Sequence, residues 1–393
     1  MRVLVAPDRY STLLDAAQTA DALTRGWREQ APDDDLDLCP LSDGGVGFVD
    51  AVAAGCPAAE LVPVTVTGPA GAPTAATMLL TTASDGVPCA YLEAGQAVGA
   101  HLLPESPDRM RTVSTGVGEL LLAATGAGAR RVVVGCGGAA SHDGGAGLLA
   151  ALGAGPADLL AVGAGGLADL PGDALGRLAD VRAGLAGVDL VVATDSVLPL
   201  LGFHGASAML AQPPAEQALG TTPAQESPER TQRLERALGA FADLAQASLT
   251  AGRPLSGRGY AGEPGSGCGG GVGFGLMLLG ARRTSGVSAV LEAVGAADRL
   301  TGTDLVLTAE LSFDRTSLGE QVVAGVADAA TAWGIPTVVV AGLVELGRRE
   351  ALAAGVAGAF ALAERPGDLP RTAAAVGAAL ATRARRTART WSR

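Results

Sequence analysis

The sequence predicts an α/β protein of two domains: a Rossmann-like domain with a doubly wound, mostly parallel sheet, and a second, mixed α/β domain, with the ligand cleft between them. Short apolar, β-branched runs alternate with longer Ala- and Leu-rich stretches, which is typical of buried parallel strands joined by helices. The 393 residues suffice for two domains, and a hydrophobic fraction of 48% can fill their cores. Most apolar runs end in a small or acidic residue, as expected where ligands bind beyond the carboxyl ends of strands.

The elements follow in chain order. RVLVAPD (2–8) predicts the first strand, and helical spacing of apolar residues predicts a helix from Leu13 to about Gln30. DLDLCPLSDGG (35–45) predicts a second strand that runs into a glycine turn, followed by a helix through Ala51. The remaining buried strands are expected at RVVVGCGG (131–138), DLVVATD (189–195), DLVLTAE (304–310), TVVVAGL (337–343) and AFALAE (359–364).

Residues 61–107 have a different pattern. VPVTVTGPAGAPTAATMLL (62–80) predicts a hairpin with GPAG as its turn, and VPCAYLEA (87–94) predicts another strand, so we expect antiparallel pairing here. We therefore assign residues 1–60, 112–155 and 285–393 to the Rossmann-like domain, and residues 61–111 and 156–284 to the inserted mixed domain. Residues 214–228, rich in Pro, Gln, Thr and Glu, predict an exposed loop, and the Arg-rich end of the chain predicts a solvated helix and tail.

Composition excludes several classes of function. A net charge of −12 without a basic stripe argues against a nucleic-acid partner. No uninterrupted apolar run reaches the roughly 18 residues of a membrane span, and the start, MRVLVAPD, lacks the features of a signal peptide. The five cysteines lack CxxC spacing, which argues against structural zinc and is typical of a reducing cytoplasm. We expect a cytoplasmic protein with neither a nucleic-acid nor a membrane partner.

The segment GGAASHDGGAG (137–147) follows a predicted strand and opens a helix. Its N–H groups could therefore face an anion with the helix dipole behind them. It is neither a Walker A sequence nor a Rossmann GxGxxG, and as a glycine loop alone it fits a tight turn and a phosphate cradle equally. His142 and Asp143 inside it favour a functional role, because charged groups in a loop at a strand end are seldom needed for folding.

Five acids follow predicted strands: Asp8, Asp43, Asp195, Glu310 and Asp314. A single acid there would more often cap a helix, worth about 1 kcal/mol. Five of them predict a shared cleft able to hold Mg²⁺ and to orient a hydroxyl group. A further glycine-rich segment, GRGYAGEPGSGCGGGVGFG (257–275), leads directly into an apolar helix and is interpreted as a ligand-facing loop.

In order along the chain, several segments resemble the glycerate kinase family, the bacterial class with a two-domain α/β fold. The resemblance rests on APDRYSTLLDA (6–16), PLSDGGVGFVDAV (40–52), STGVGELL (114–121), GGAASHDGGAGLLAALGA (137–154), TDSVLPLLGFHGAS (194–207), PGSGCGGGVGFGLMLLG (264–280) and TAELSFDRTSLG (308–319). It implies ATP-dependent phosphorylation of D-glycerate or a similar small hydroxy acid, with ATP and Mg²⁺ as cofactors. The partners would be the hydroxy acid and the nucleotide, and a homodimer is left open.

The resemblance also implies a set of site residues. Asp195 would orient or deprotonate the hydroxyl, Asp314 is the second catalytic candidate, and Glu310 and Asp314 would hold Mg²⁺. Substrate and nucleotide would bind at Asp8, Asp43, Gly44, Gly45, Gly137, Gly138, Ser141, His142, Asp143, Gly144, Gly145, His204, Ser207, Gly265, Gly267 and Gly270.

The chain departs from the family pattern at polar positions. Ser11 stands where the family has Lys, and Val46 where it has Glu. Ala139 and His142 replace a Ser and an Asn, and Leu198 and His204 replace two Asn. Ser312 replaces an Arg, and Glu320 and Gln321 replace Gly-Lys. The chain contains no lysine, so all 28 basic residues are arginine. Losing one transition-state charge partner costs about 3–4 kcal/mol. Because arginine binds phosphate bidentately, Arg9, Arg282 and Arg315 are the expected substitutes.

Two alternatives stay open beside the kinase. The chain could be a catalytically impaired relative that binds a ligand or partner and has a regulatory role. It could also be a repurposed enzyme in which His142 and His204 perform acid–base chemistry without ATP. The position of the candidate arginines, and whether both histidines face one cavity, should discriminate between these hypotheses.

Overall fold

The computed structural model describes residues 1–104, 107–210, 226–250 and 259–392. The β-strands are β1 Arg2–Val5, β2 Asp35–Leu38, β3 Glu60–Thr67, β4 Pro73–Thr82, β5 Pro88–Glu93, β6 Arg131–Gly135, β7 Asp189–Thr194, β8 Arg282–Ser285, β9 Leu305–Phe313, β10 Thr337–Val344 and β11 Val356–Ala361. The α-helices are α1 Ala16–Gln30, α2 Phe48–Gly55, α3 Ala94–Val98, α4 Thr115–Gly126, α5 Ala146–Ala151, α6 Ala157–Leu160, α7 Leu178–Gly184, α8 Ala206–Met209, α9 Pro228–Thr250, α10 Cys268–Leu278, α11 Gly286–Ala293, α12 Ala296–Leu300, α13 Val322–Thr331, α14 Arg348–Ala353 and α15 Ala373–Trp391.

The first sheet is entirely parallel and has the order β11-β10-β9-β1-β2. Numbered within this sheet, the order is 2-1-3-4-5, which is that of flavodoxin-like doubly wound folds. The strand order reverses between β1 and β9. Ligands of such sheets bind outside the carboxyl ends of the strands at this reversal, and Asp8 and Glu310 lie there.

The second sheet is mixed and has the order β3-β4-β5-β6-β7-β8. The hairpin predicted around GPAG is present, with β3 and β4 paired antiparallel from Glu60–Leu80 to Thr67–Pro73. Strands β4 and β5 are also antiparallel, whereas β5 through β8 are parallel. The predicted α/β class, with one mostly parallel sheet and one mixed sheet, is confirmed.

One assigned segment lies in the other sheet. Residues 112–155 were assigned to the Rossmann-like domain, but their strand β6 pairs with β5 and β7 in the mixed sheet. Helices α4 and α5 from the same segment pack in the core on the outer face of that sheet. The sequence misled here because RVVVG is buried on both faces, and such an apolar run fits a central parallel strand of either sheet. The other domain boundaries stay predictions.

The two sheets share a middle layer of helices. Apolar residues of α2, α11 and α13, among them Phe48, Val290 and Val326, pack in one cluster with Leu4 of the parallel sheet and Val133 of the mixed sheet. Helices α1 and α15 cover the outer face of the parallel sheet. Helices α4, α5, α9 and α10 cover the outer face of the mixed sheet. The layers therefore alternate helix, sheet, helix, sheet, helix.

The first helix begins later than its apolar spacing predicted. Asp15 caps α1, with its Oδ1 accepting from the Gln18 N–H at 2.7 Å, while Gln18 Oε1 accepts from the Asp15 N–H at 3.1 Å. This capping box fixes the start at Ala16 rather than at Leu13. The exposed loop expected at 214–228 lies mostly outside the described residues. Among the helices of the described ranges, we find none with the length and apolar character needed to cross a membrane.

Candidate active site

Carboxyl groups from both sheets form a row at the carboxyl ends of the strands. Asp43 raises the pKa of Asp8, and Asp195 raises the pKa of Asp43, because their like charges repel. Glu310 extends the row beside Asp8, and Glu320 extends it beside Asp195. We call these five residues the acid row. Since Asp8, Asp43 and Glu310 follow or belong to strands of the parallel sheet, and Asp195 follows β7, the row lies where the two sheets meet.

Burial raises the pKa of each strand-end carboxyl in the acid row. It raises that of Glu310 to about 8, with Asp8 and Asp314 adding to the shift. Burial and the charge of Asp195 raise the pKa of Asp43 to about 6. Burial likewise raises the pKa of Asp8 well above its usual range. Glu310 therefore keeps most of its protons near neutral pH, and a bound cation would favour their release.

A close approach of two glycine turns shapes the centre of the row. The Gly45 N–H donates to Asp43 Oδ1 at 2.9 Å, and the Gly137 N–H donates to the Gly44 carbonyl at 3.0 Å. A Cβ at Gly137 would lie 2.5 Å from Asp195 Oδ2 and 2.7 Å from the Gly45 Cα. A side chain at position 137 would therefore displace both the Asp195 carboxylate and the neighbouring backbone.

The two long glycine loops pack against each other. Gly269–Gly271 have left-handed φ angles of 62°, 62° and 98° at the start of α10, and the Gly144 N–H donates to the Gly270 carbonyl at 3.1 Å. The buried Ser141 lies between the loops, with Oγ 3.5 Å from the Gly269 carbonyl. Among the other glycines named from the sequence, positive φ angles occur at Gly44, Gly138, Gly144, Gly145 and Gly265. A Cβ at Gly267 would collide with the Pro199 carbonyl.

Asp143 does not join the acid row. Its fully buried carboxylate accepts from the Ser114 N–H at 2.8 Å, the Ser114 hydroxyl at 3.0 Å, the Gly145 N–H at 3.1 Å and the Gly147 N–H at 3.0 Å. These donors belong to the starts of α4 and α5. The Asp143 carboxylate therefore already accepts four hydrogen bonds from the protein, and its geometry does not support the expectation that it contacts a ligand.

Asp314 and Glu310 differ in their availability to a metal ion. Asp314 Oδ1 already accepts from the Thr316 N–H and hydroxyl, both at 2.7 Å, whereas Glu310 Oε1 is buried without a hydrogen-bond partner. Within the described ranges no three His, Cys, Asp or Glu side chains are grouped so as to hold a metal ion. Mg²⁺ is commonly bound by one or two carboxylates together with substrate phosphates. The residues present fit a magnesium ion that arrives with a nucleotide.

The two candidate histidines have different surroundings. His142 is buried, with Nε2 3.3 Å from Ser207 Oγ, and burial together with the charge of Arg109 lowers its pKa to about 3. It is therefore neutral at physiological pH. His204 is exposed and stacks edge-on against Phe203 at a centroid distance of 5.1 Å. A cavity of about 470 Å³ beside Ser207 is lined by neither histidine.

Two of the three expected substitute cations pair with residues outside the acid row. Arg282 pairs with Asp189 at 3.1 Å, at the start of β7 and therefore at the opposite edge of the sheet from Asp195. The Arg315 side chain is 87% exposed and reaches Glu350 at 3.6 Å. The expectation for Arg282 and Arg315 is wrong. Arg9 does lie near the row, since its charge lowers the pKa of Asp8 and of Asp43.

Sequence reasoning missed Arg283. Its Nε donates to Thr194 Oγ1 at 3.0 Å, and its Nη2 forms an ion pair with Glu320. Adjacent residues of a strand point to opposite faces, so Arg282 and Arg283 could not both have faced one site. That alternation was the available signal, but the sequence alone did not say which of the two faces the acid row.

Gln321 also contacts the row. Its Nε2 donates to the Asp195 backbone carbonyl at 3.2 Å, and its side chain hydrogen-bonds Asp43, which lowers the pKa of that carboxyl. In the resemblance this position is a lysine. The side chain at 321 therefore still reaches two members of the row but supplies no positive charge.

Comparisons with known proteins agree over nearly the whole chain. It matches the family described as "Glycerate kinase family" over residues 3–392. It is 31% identical over 377 residues to a glycerate kinase of Bacillus subtilis, covering 94% of this chain and 92% of the relative. It is 33% identical over 352 residues to a glycerate 2-kinase of Escherichia coli, covering 87% and 85%. The fold is similar to a crystal structure from Salmonella typhimurium LT2 described as a glycerate kinase 2, with a TM-score of 0.73 and 30% identity over 99% of this chain and 98% of that one.

Proposed function

Since this chain belongs to the glycerate kinase family, we propose that it is an ATP-dependent kinase that phosphorylates D-glycerate or a similar small hydroxy acid. The observation that carries the proposal is the acid row at the strand-order reversal between β1 and β9, joined by Asp195 from the mixed sheet. The proposal keeps the expected partners, a hydroxy acid and a nucleotide, and the expected cytoplasmic location.

Asp195 is the proposed residue for orienting or deprotonating the acceptor hydroxyl. Burial raises the pKa of its carboxyl, and a carboxylate of higher pKa is a stronger base. Cys268 Sγ lies 3.1 Å from Asp195 Oδ1 and donates to it, while Oδ2 faces Gly137. These contacts hold the carboxylate in one orientation beside the glycine turn, where a small hydroxy acid could approach.

The nucleotide would bind across the remaining members of the row. Glu310, with its unpartnered Oε1, is the carboxylate proposed for magnesium, and Asp314 could join only by giving up its contacts with Thr316. When bound with ATP, Mg²⁺ would neutralise charge on the phosphates. The backbone N–H groups of the Gly137–Gly145 and Gly265–Gly271 loops would hold phosphate or substrate carboxylate.

A non-catalytic, ligand-binding relative is the second candidate. The observation that favours it is Gln321, which occupies a lysine position and binds Asp43 and Asp195 without charge. The repurposed enzyme has less support, because His142 is neutral, buried and bonded to Ser207.

The test is ATP turnover with D-glycerate, L-glycerate and other small hydroxy acids, alongside nucleotide-induced changes in melting temperature. Asp195→Asn is expected to lower kcat at least 100-fold while MgATP still raises its melting temperature. Asp189→Asn is the matched control, because Asp189 lies at the opposite end of β7 and binds Arg131 and Arg282. A wild-type protein that binds MgATP without turning it over would favour the non-catalytic candidate. Turnover equal in Asp195→Asn and wild type would contradict the proposed role of Asp195.

A further inference from the structure

Of the two adjacent arginines Arg282 and Arg283, only Arg283 points toward the acid row. It donates through Nε to Thr194 Oγ1 at 3.0 Å, and Thr194 directly precedes Asp195. The Arg283 side chain is 24% exposed, so it is shielded but still within reach of a ligand. Its neighbour Arg282 is 51% exposed and bound to Asp189 at the opposite sheet edge.

The second glycine loop is packed directly on this guanidinium. Gly265 has a φ of +78°, and a Cβ there would lie 2.8 Å from Arg283 Nε and 2.8 Å from Thr194 Cγ2. The absence of a side chain at Gly265 therefore makes room for the Arg283 guanidinium. The arginine and the Gly265–Gly271 loop form one wall beside Asp195.

The partner of Arg283 is itself a member of the acid row. Glu320 binds Nη2 of Arg283, and its negative charge reaches the Asp195 carboxyl. A guanidinium carries five N–H donors in a planar fork, and the Thr194 and Glu320 contacts engage only Nε and Nη2. The Arg283 and Glu320 side chains are only 24% and 20% exposed, so losing this ion pair without replacement would be costly. Phosphate oxygens would replace the carboxylate with charged contacts of the same kind.

We propose that Arg283 is the phosphate-binding cation of this site, held by Glu320 in the free protein and released to nucleotide phosphate oxygens on binding. The inference deepens the proposed kinase function and rests on it. Gln321 brings no charge to the row, and Arg282 and Arg315 lie elsewhere. Among the described residues, Arg283 and Arg9 are the cations that we place beside the five carboxyls, and the Arg283 fork matches the bidentate geometry of phosphate.

The experiment measures the dissociation constant of MgATP by calorimetry, and KM and kcat where turnover is present. Arg283→Gln is expected to raise the dissociation constant roughly 10- to 100-fold and to weaken its dependence on salt, because one screened charge contact is lost. Arg282→Gln is the matched control and should stay within about twofold of wild type, since its charge lies at the opposite sheet edge.

Glu320→Gln gives the sharper test. Removing the competing carboxylate should tighten MgATP binding roughly 3- to 10-fold, whereas a purely structural ion pair would weaken binding in both variants. Equal affinity in Arg283→Gln and Arg282→Gln, or weaker binding in Glu320→Gln, would overturn the proposal. If Arg283→Gln does not fold, Glu320→Gln and Arg283→Lys test the proposal instead. Arg283→Lys keeps the charge but loses the bidentate fork, so its dissociation constant for MgATP should lie above that of wild type.

The outcomes separate this inference from the proposed function. MgATP binding that depends on Arg283 without turnover of any hydroxy acid would uphold the inference and contradict the kinase. Turnover whose KM for MgATP is unchanged in Arg283→Gln would uphold the kinase and overturn the inference.

Discussion

The thiol of Cys268 donates a hydrogen bond of 3.1 Å to Oδ1 of Asp195, and this contact lowers the pKa of a carboxyl that burial raises. In Cys268→Ala the donor is lost, so the pKa of Asp195 should rise and the acid limb of the kcat/KM profile should move to higher pH. Turnover at pH 7 is expected to fall roughly 3- to 10-fold. Cys268→Ser keeps a donor and should restore most of the wild-type profile. Superimposable profiles for Cys268→Ala and wild type would show that the thiol does not tune Asp195.

Glu310 should make stability depend on pH. Its pKa is raised from an ordinary 4.5 to about 8 in the folded chain, so folding favours the protonated form. The stability that this gives is complete below about pH 4.5 and is lost as the pH rises through 8. His142, whose pKa is lowered to about 3, acts in the opposite sense below pH 6.5. The clean window is therefore pH 6.5 to 8, where Asp8, also raised, contributes in the same direction as Glu310.

We expect the melting temperature of the ligand-free protein to fall across that window, and to fall less in Glu310→Gln, whose amide does not ionise. The control is Glu350→Gln, because Glu350 is exposed and pairs with Arg315. In this variant the melting temperature should fall with pH as steeply as in wild type. If the melting temperature fell equally with pH in Glu310→Gln and wild type, Glu310 would not be the source of the pH dependence.

Gly137→Ala should disrupt the centre of the site. The added Cβ would meet Asp195 Oδ2 and the Gly45 backbone, and a shift of about 1 Å in a catalytic group can cost roughly 100-fold in rate. The control is Gly126→Ala at the end of α4, where a Cβ meets nothing within 4 Å. That variant should retain turnover and gain about 0.5–1 kcal/mol of stability. Full turnover in Gly137→Ala would mean that the site tolerates a displaced Asp195.

Asp143→Asn should act on stability rather than on chemistry. The amide cannot accept the four donors that the carboxylate accepts, so the free energy of unfolding in urea should fall by about 2–4 kcal/mol. Ser114→Ala, which removes a hydroxyl bonded to Asp143 and to the Leu148 N–H, should lose about 1–2 kcal/mol. The kcat of the folded fraction should change little in both. A stable Asp143→Asn variant without turnover would instead place Asp143 in the active site.

Local sequence features were sufficient to predict the hairpin, the family and every strand of the described residues except β8, whose sequence RRTS has no apolar run. Strand-end acids such as Asp8 and Glu310 could be placed near one edge because the parallel strands β1 and β9 end together. The ordered glycine motifs made the family resemblance recognisable, which the comparisons confirm.

What the sequence could not supply was the partner of each group. Asp143 and Asp43 both precede paired glycines, yet Ser114 saturates the first and Asp195 faces the second. Strand β6 fits either sheet by its composition, and Arg282 and Arg283 are indistinguishable until their pairing with Asp189 and Glu320 is known. These distinctions depend on contacts between residues that are far apart along the chain.

The helical layer shared by the two sheets has a consequence for unfolding. Phe48, Val290 and Val326 belong to one apolar cluster that also includes residues of both sheets. Unfolding of either sheet would therefore expose apolar surface of this shared layer. Heat or urea should therefore disassemble the whole chain in one cooperative step, and access to the acid row would come from shifts of the glycine loops while the sheets stay joined.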